Sequence, residues 1–268
     1  MPSSNSTVSN RLAGRSALIT GATRGIGLAT AERFAEHGAN IVLSASNLKA
    51  LKETAARLNK YAVDVSFFAA DLSASSEIED LFSFAVDRHS QLDVLVNNAG
   101  VAWGAPLEDF PEVGWDKVMD TNVKGVFFLT QKLLPLLEKH ASSTAPTHVV
   151  NVGSIDGIKT PVFDNFSYGP SKAAVHHLTR VLAAHLIKRN IIVTGIAPGP
   201  FPTYMLSTGV GGGGDTETTD WDAVGKNNPR GRVGTAEDIA GLAIFLSSRA
   251  CGFTVGDVIT CDGGSVVS

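Results

Sequence analysis

Cysteine is nearly missing from this chain of 268 residues: Cys251 and Cys261 are the two, so no disulfide framework and no paired spacing of the zinc type can be drawn. A reducing compartment is the default. Excess charge of one sign is missing too, since 22 Lys and Arg stand against 26 Asp and Glu in no long block, which removes the electrostatic footprint of a nucleic-acid or anionic-membrane partner. Long apolar runs are absent; the longest fall far short of the roughly 20 residues a spanning helix needs. The first ten residues carry no apolar core of a secretory signal and read as part of a loose tail over 1–11, and the final Ser-Val-Val-Ser is not a peroxisomal Ser-Lys-Leu. His176, His177 and His185 are not gathered with acids on one helical face, so no metal site is expected. These absences leave a cytoplasmic protein whose partners are small molecules, with no nucleic acid and no membrane.

What is present is enough apolar material, 44% of residues, to fill one sizeable core. Short β-branched runs alternate with longer amphipathic ones: Ala17 to Thr20, then Ile26 to His37; Ile41 to Leu43, then Leu48 to Leu58; Ala62 to Phe68, then Ile78 to Arg88. The alternation continues through Val94 to Asn97, a long helix over Trp115 to Lys139, His148 to Val152, Lys172 to Arg189, Ile191 to Ile196, Ile239 to Ser247 and Val258 to Thr260. Strand–helix alternation of this kind predicts a parallel sheet with helices on both faces. The strands are apolar throughout rather than alternating, as burial under two helical layers requires. One compositional break, about 200–229 with Gly211 to Gly214 inside it, predicts a long mobile excursion that serves as a lid.

Directly after the first strand comes Gly21-Ala22-Thr23-Arg24-Gly25-Ile26-Gly27, leading into a helix. Glycines let backbone approach a pyrophosphate, and the helix start offers free N–H groups and a positive dipole end. Further along stand Asn97-Asn98-Ala99-Gly100, Asn122, Ser154, Tyr168 with Lys172 four residues on, and Pro198-Gly199. On these markers, in this order from about Leu12 to Gly264, the sequence resembles the short-chain dehydrogenase/reductase family. The stretches Asn97 to Val123, Tyr168 to Leu178 and Ile196 to Met205 look most like its 3-oxoacyl-(acyl-carrier-protein) reductases associated with rhamnolipid biosynthesis. The resemblance implies a single-domain Rossmann-type α/β fold over 12–268, doubly wound, with seven parallel strands in the order 3-2-1-4-5-6-7. It also implies a homotetramer or homodimer built on the Trp115 to Lys139 and Lys172 to Arg189 helices.

The expected cofactor is NADP(H). After the second strand the sequence reads Ser44-Ala45-Ser46-Asn47, with no acid to hold a ribose 2′-hydroxyl. Arg24 in the glycine turn can attract a 2′-phosphate, and Ser46 and Asn47 can donate to it. By resemblance, Asp71 and Leu72 lie along the adenine, Asn98, Ala99 and Gly100 line the ribose and pyrophosphate side, and Pro198, Gly199 and Thr203 lie near the carboxamide. Pro200 and Pro202 depart from the usual residues of that last loop. Asp71 could instead cap the next helix, as could Ser73 or Ser75, and Asn97 reads as a brace of the sheet.

A phenol with a pKa of about 10 is a poor acid at neutral pH, so Tyr168 needs cationic help, which Lys172 on the same helical face supplies. Pro170 between them is tolerable only if the helix starts near Tyr168. Ser154 would hydrogen-bond a carbonyl oxygen. Asn122, by resemblance, holds a water of a proton relay beyond Lys172. Trp103, Phe163 and Tyr204 are candidates to shape a substrate pocket. The expected reaction is NADPH-dependent reduction of a ketone to a secondary alcohol, the ketone being a 3-oxoacyl thioester or an intermediate of secondary metabolism. A regulatory sensor that binds NADP without turnover, and an epimerase or dehydratase working through a transient ketone, are the alternatives.

Overall fold

The computed structural model describes residues 11–160, 163–209 and 213–268; the expected tail, save Arg11, and residues 210–212 of the expected lid lie outside the described residues. Seven parallel strands form one sheet: β1 (Ser16–Thr20), β2 (Asn40–Ala45), β3 (Val65–Ala69), β4 (Val94–Asn97), β5 (Thr147–Val152), β6 (Ile191–Pro198) and β7 (Val258–Cys261). Their order is 3-2-1-4-5-6-7, as expected. Since β1 pairs with both β2 and β4, the chain leaves it in opposite directions, and a crevice opens at the carboxyl ends of the strands.

The unbroken apolar strands divide their side chains between two layers. Ile19, Ile41, Leu43, Val96 and Val150 pack on one face with α1 (Gly25–Glu36), α2 (Leu48–Leu58) and α9 (Ala236–Leu246). Leu18, Val42, Leu95, Val149 and Val193 point the other way, against α3 (Ser75–Arg88), α5 (Gly125–Glu138) and α6 (Tyr168–Leu186). Each such side chain, removed from water, contributes about 1.5–3 kcal/mol to the gross driving force. β3 starts later than its sequence predicts, because Ala62 and Val63 lie in a turn in which the Val63 N–H bonds the Tyr61 carbonyl.

The long helix expected over 115–139 is not one α-helix. It begins as α4 (Glu112–Met119), opens into a single π-helical turn over Asp120–Lys124, and resumes as α5. The wider turn brings two successive side chains, Thr121 and Asn122, inward together. Helix α6 starts at Tyr168, with Pro170 inside its first turn, where its missing N–H costs nothing. The excursion after β6, expected as a long mobile lid, contains two short helices among its described residues, α7 (Tyr204–Gly209) and α8 (Trp221–Lys226). Between them the Asp215 carboxylate accepts the N–H groups of Glu217 and Thr218, and the Ser207 hydroxyl reaches the Asp215 carbonyl.

His148, in the middle of the sheet, is fully buried, with the Leu246 backbone as a weak polar neighbour. Burial, with Arg15 nearby, lowers its pKa to about 3. The folded protein therefore keeps this imidazole neutral while the unfolded chain protonates near its ordinary 6.5, so stability is full above that pH and falls as the pH drops towards 3. We expect His148→Leu to flatten this loss by about 1.4 kcal/mol per pH unit between pH 6 and 4. Urea unfolding at several pH values checks it; parallel curves for variant and parent would contradict the assignment.

Candidate active site

At the head of the crevice the glycine turn is braced by its neighbour strand. The Thr20 hydroxyl accepts the N–H groups of Asn98 (3.0 Å) and Ala99 (2.9 Å), and the Asn98 amide donates to the carbonyls of Thr20 (2.8 Å) and Gly21 (3.2 Å). Gly21 and Gly25 sit at φ +63° and +54°, and a Cβ on Gly27 would lie 2.2 Å from the Gly21 carbonyl oxygen. Only glycine fits there. Arg24 precedes α1 in an extended conformation without a side-chain cap, and the first turn holds no acid. The N–H groups at this helix start, over a cradle that any Cβ would fill, suit an anionic pyrophosphate. Gly27→Ala must displace the turn, and we expect about a hundredfold weaker NADPH binding, measured by fluorescence titration; unchanged affinity would contradict the cradle.

The other residues expected around a cofactor have varied surroundings. Thr23 is half-buried in the turn, and Ile26 packs on the core. Ser46 is exposed just beyond β2, while the Asn47 side-chain amide oxygen caps α2 by accepting from the Ala50 N–H, which leaves its amide hydrogens for a ligand. The Asp71 carboxylate closes its own turn, accepting from the Ser73 N–H and hydroxyl; none of Asp71, Ser73 or Ser75 caps α3, which starts from Ala74. Leu72 is buried against Gly125. Thr203 accepts from the Leu206 N–H at the start of α7, with its methyl against Gly25. Pro198 and Gly199 line the cleft described below. Asn97 donates to Thr130 and Asn151 inside the sheet, as a brace would.

The groups of acid–base character meet at the floor of the crevice. Ser154 lies two residues past the end of β5, capping the short turn Ile155–Gly157, and Tyr168 starts α6. One turn on, the Lys172 ammonium donates to the Val152 carbonyl at 2.9 Å and lies 5.5 Å from the centre of the Tyr168 ring. Burial lowers Lys172 to about 8, with Asp156 acting against that shift. Tyr168 is pushed above its ordinary value by burial and then by Asp156, while a side-chain hydrogen bond with Ser154 pulls the other way. Gly100 is the spacer between this group and the π turn: a Cβ on it would lie 3.4 Å from both the Lys172 ammonium and the Asn122 amide oxygen.

The Asn122 side chain is fully engaged within the protein. Its amide oxygen accepts from the Val101 N–H and its amide nitrogen donates to the Val101 carbonyl and the Ser171 hydroxyl, all within 3.0 Å. Ser171 in turn donates to the Tyr168 carbonyl. With its side chain committed this way, Asn122 ties the π turn to the first turn of α6.

Three participants escaped the sequence reading. His176, considered there only as a metal ligand, is buried beneath Ser154 and accepts its backbone N–H through Nε2 at 3.4 Å. Burial, Lys172 and Arg180 lower its pKa to about 4, so it is a neutral acceptor at physiological pH. Gly153 and Gly157 make room for its ring. Asp156 and Lys159 line the cleft on the turn after Ser154. The only signal for His176 was its position one turn after Lys172; for Asp156, its place two residues beyond Ser154.

Over this floor lies a cleft of about 1080 Å³, walled by Phe163 and Tyr204 among others. Arg24 reaches in from the glycine turn and stacks its guanidinium on the Tyr204 ring, 4.4 Å from the centre. Trp103 is not part of the wall. Its indole fills the space left by Gly114 on α4, with the Lys117 ammonium 5.9 Å from its centre. Among the described residues no helix is long and apolar enough to cross a membrane.

A family model described as enoyl-(acyl carrier protein) reductase matches residues 21–266. The rhamnolipids biosynthesis 3-oxoacyl-(acyl-carrier-protein) reductase of Pseudomonas aeruginosa is 43% identical over 253 residues, covering 94% of this chain and 96% of that enzyme. Gluconate 5-dehydrogenase of Gluconobacter oxydans is 36% identical over 259 residues, covering 96% of each. Among solved structures, the Pseudomonas aeruginosa RhlG/NADP active-site complex superposes with a TM-score of 0.88 at 42% identity, covering 95% of this chain and 97% of that one.

Proposed function

The chain belongs to the short-chain dehydrogenase/reductase family of oxidoreductases, and on that premise we propose that it reduces a ketone to a secondary alcohol with NADPH, at Ser154, Tyr168 and Lys172. The observation carrying this reading is the meeting of a half-buried phenol and a serine hydroxyl on the floor of a cleft that the glycine turn enters from one side, with a buried ammonium directly behind them. A relative whose structure is an NADP complex supports the cofactor, as does the acid-free end of β2 beside Arg24.

Bound NADPH supplies the hydride. Ser154 donates a hydrogen bond to the carbonyl oxygen, and its backbone is held by His176 so that the hydroxyl faces the cleft. Tyr168 gives its proton to that oxygen as negative charge develops, and Lys172 stabilises the phenolate left behind. Asn122 acts as a positioning residue, through Ser171, on the turn that carries Tyr168. Arg24, Ser46 and the Asn47 amide hold the 2′-phosphate, and the segment over 200–229 serves as the lid. An exposed apolar face over α5 and α6, including Phe127, Phe128 and Val181, is the surface we assign to a second copy in a dimer or tetramer.

Two ketone classes stand in view. A 3-oxoacyl thioester is supported by the printed activity of the 43% identical relative; a more polar ketone of secondary metabolism is favoured by the charged groups Asp156 and Lys159 in the cleft wall. The test is NADPH oxidation against both classes. Tight NADPH binding without turnover of any ketone would replace the reading with a sensor.

A further inference from the structure

Asp156 stands beside the reacting groups and helps to hold the Tyr168 proton, yet its carboxylate takes no direct part in the reduction just described. It lies on the short turn Ile155–Gly157, whose first N–H groups fold back over Ser154: the Asp156 N–H donates to the Ser154 hydroxyl oxygen at 3.1 Å. The turn is fixed in place from behind. A Cβ on Gly157 would lie 2.7 Å from the Ala173 nitrogen of α6, so the turn rests directly on the backbone of the helix that carries Tyr168 and Lys172. Asp156 is therefore held at a set distance from both, and its side chain lines the cleft.

The cations around this carboxylate are otherwise engaged. The Lys159 ammonium donates to the Ser265 carbonyl at 2.7 Å, and the Lys172 ammonium to the Val152 carbonyl. No hydrogen bond or ion pair within the protein reaches the Asp156 carboxylate oxygens among the described residues. Solvent can reach these oxygens in the open cleft, and a plain hydrocarbon substituent placed against them would exclude that solvent without replacing its hydrogen bonds. A carboxylate beside an oxygen that gains negative charge would also slow reduction unless a proton donor stood between the two. A hydroxyl next to the carbonyl removes the first cost by donating to the carboxylate, and it lessens the second. An ammonium is the poorer candidate, since Arg24 and Lys159 line the cleft, Lys172 lies beneath its floor, and all three would repel it.

We propose that Asp156 is a specificity-determining residue that accepts a hydrogen bond from a hydroxyl on the carbon beside the reacting carbonyl, so that the preferred substrates are hydroxylated ketones. The proposal rests on the ketone-reductase reading and narrows it towards the more polar of the two substrate classes. A site built to bond a hydroxyl discriminates strongly against the analogue that lacks it.

The test compares matched ketones with NADPH: 3-hydroxy-2-butanone against 2-butanone, and a 3-oxobutanoyl thioester beside them. In the parent protein we expect kcat/KM for the hydroxyketone to exceed that for 2-butanone by about a hundredfold. Asp156→Asn, nearly isosteric and still able to accept, should lower that ratio about tenfold, and Asp156→Val should bring it near one. A second readout uses no turnover: calorimetry on the NADP-loaded protein should show 2,3-butanediol binding more tightly than 2-butanol, a difference lost in Asp156→Asn. Turnover with a parent ratio near one, or a ratio that survives in the variants, overturns the role of Asp156 while leaving the reductase reading in place. No oxidation of NADPH with any of the three ketones overturns both.

Discussion

Replacing Tyr168 with Phe is expected to reduce kcat about 10³-fold or more while NADPH binds as before. The phenyl ring keeps the volume and the contacts that start α6; only the proton is lost. Burial and the neighbouring Asp156 hold this phenol above its ordinary pKa, so the proton stays in place at neutral pH until the carbonyl oxygen acquires charge. Lys172 lies 5.5 Å from the ring centre and is the cation that meets the resulting phenolate. Because the NADPH cradle is built from the glycine turn and α1, its Kd should not follow kcat. Rapid single-turnover kinetics beside a fluorescence titration separates the two quantities, and a variant with near-native turnover would remove Tyr168 from the chemistry.

The second large effect concerns cofactor choice. Arg24→Ala together with Ser46→Asp should move preference from NADPH towards NADH, through two independent changes. Removing Arg24 takes away a charge-assisted contact, expected to cost about 10- to 100-fold in NADPH affinity. Asp at position 46, just past β2, repels a 2′-phosphate and can accept from a 2′-hydroxyl. Arg24 has a further partner in Tyr204, on which it stacks, so Tyr204→Ala serves as the control for altered stacking alone. Steady-state kcat/KM with both cofactors measures the ratio. An unchanged ratio in the double variant would contradict the assignment of the 2′-phosphate site.

The parallel sheet was legible because its strands are apolar from end to end, a pattern that only two covering layers explain; Leu18 and Ile19 go to opposite layers although both are simply aliphatic in the sequence. The start of α6 was legible from Pro170. The π turn was not. Apolar residues keep helical spacing through 115–139, and neither Gly nor Pro marks the change near Asp120; the cause lies in contacts that Asn122 makes with Val101 and Ser171, 21 and 49 residues away. Distance in the chain also hid His176, whose partner is the backbone of Ser154, and misdirected Trp103, whose bulk suggested a pocket wall when its place was decided by the gap at Gly114. The excursion after β6 lacked apolar periodicity because its order comes from Asp215 and Ser207 bonding to nearby backbone, which periodicity does not record. Spacing revealed which side chains could react; the partners that hold them are set by tertiary contact.

The central claim is that this cleft transfers hydride to a carbonyl with Tyr168 as proton donor. Its most direct test is reduction with NADPH deuterated at the transferable position, followed by mass spectrometry of the alcohol and parallel measurement of NADPH consumed. One deuterium at the carbinol carbon and one NADPH consumed per alcohol, both lost in Tyr168→Phe, is the predicted result. Product formed without net consumption of NADPH, or label transferred equally well by the Tyr168→Phe protein, would contradict it.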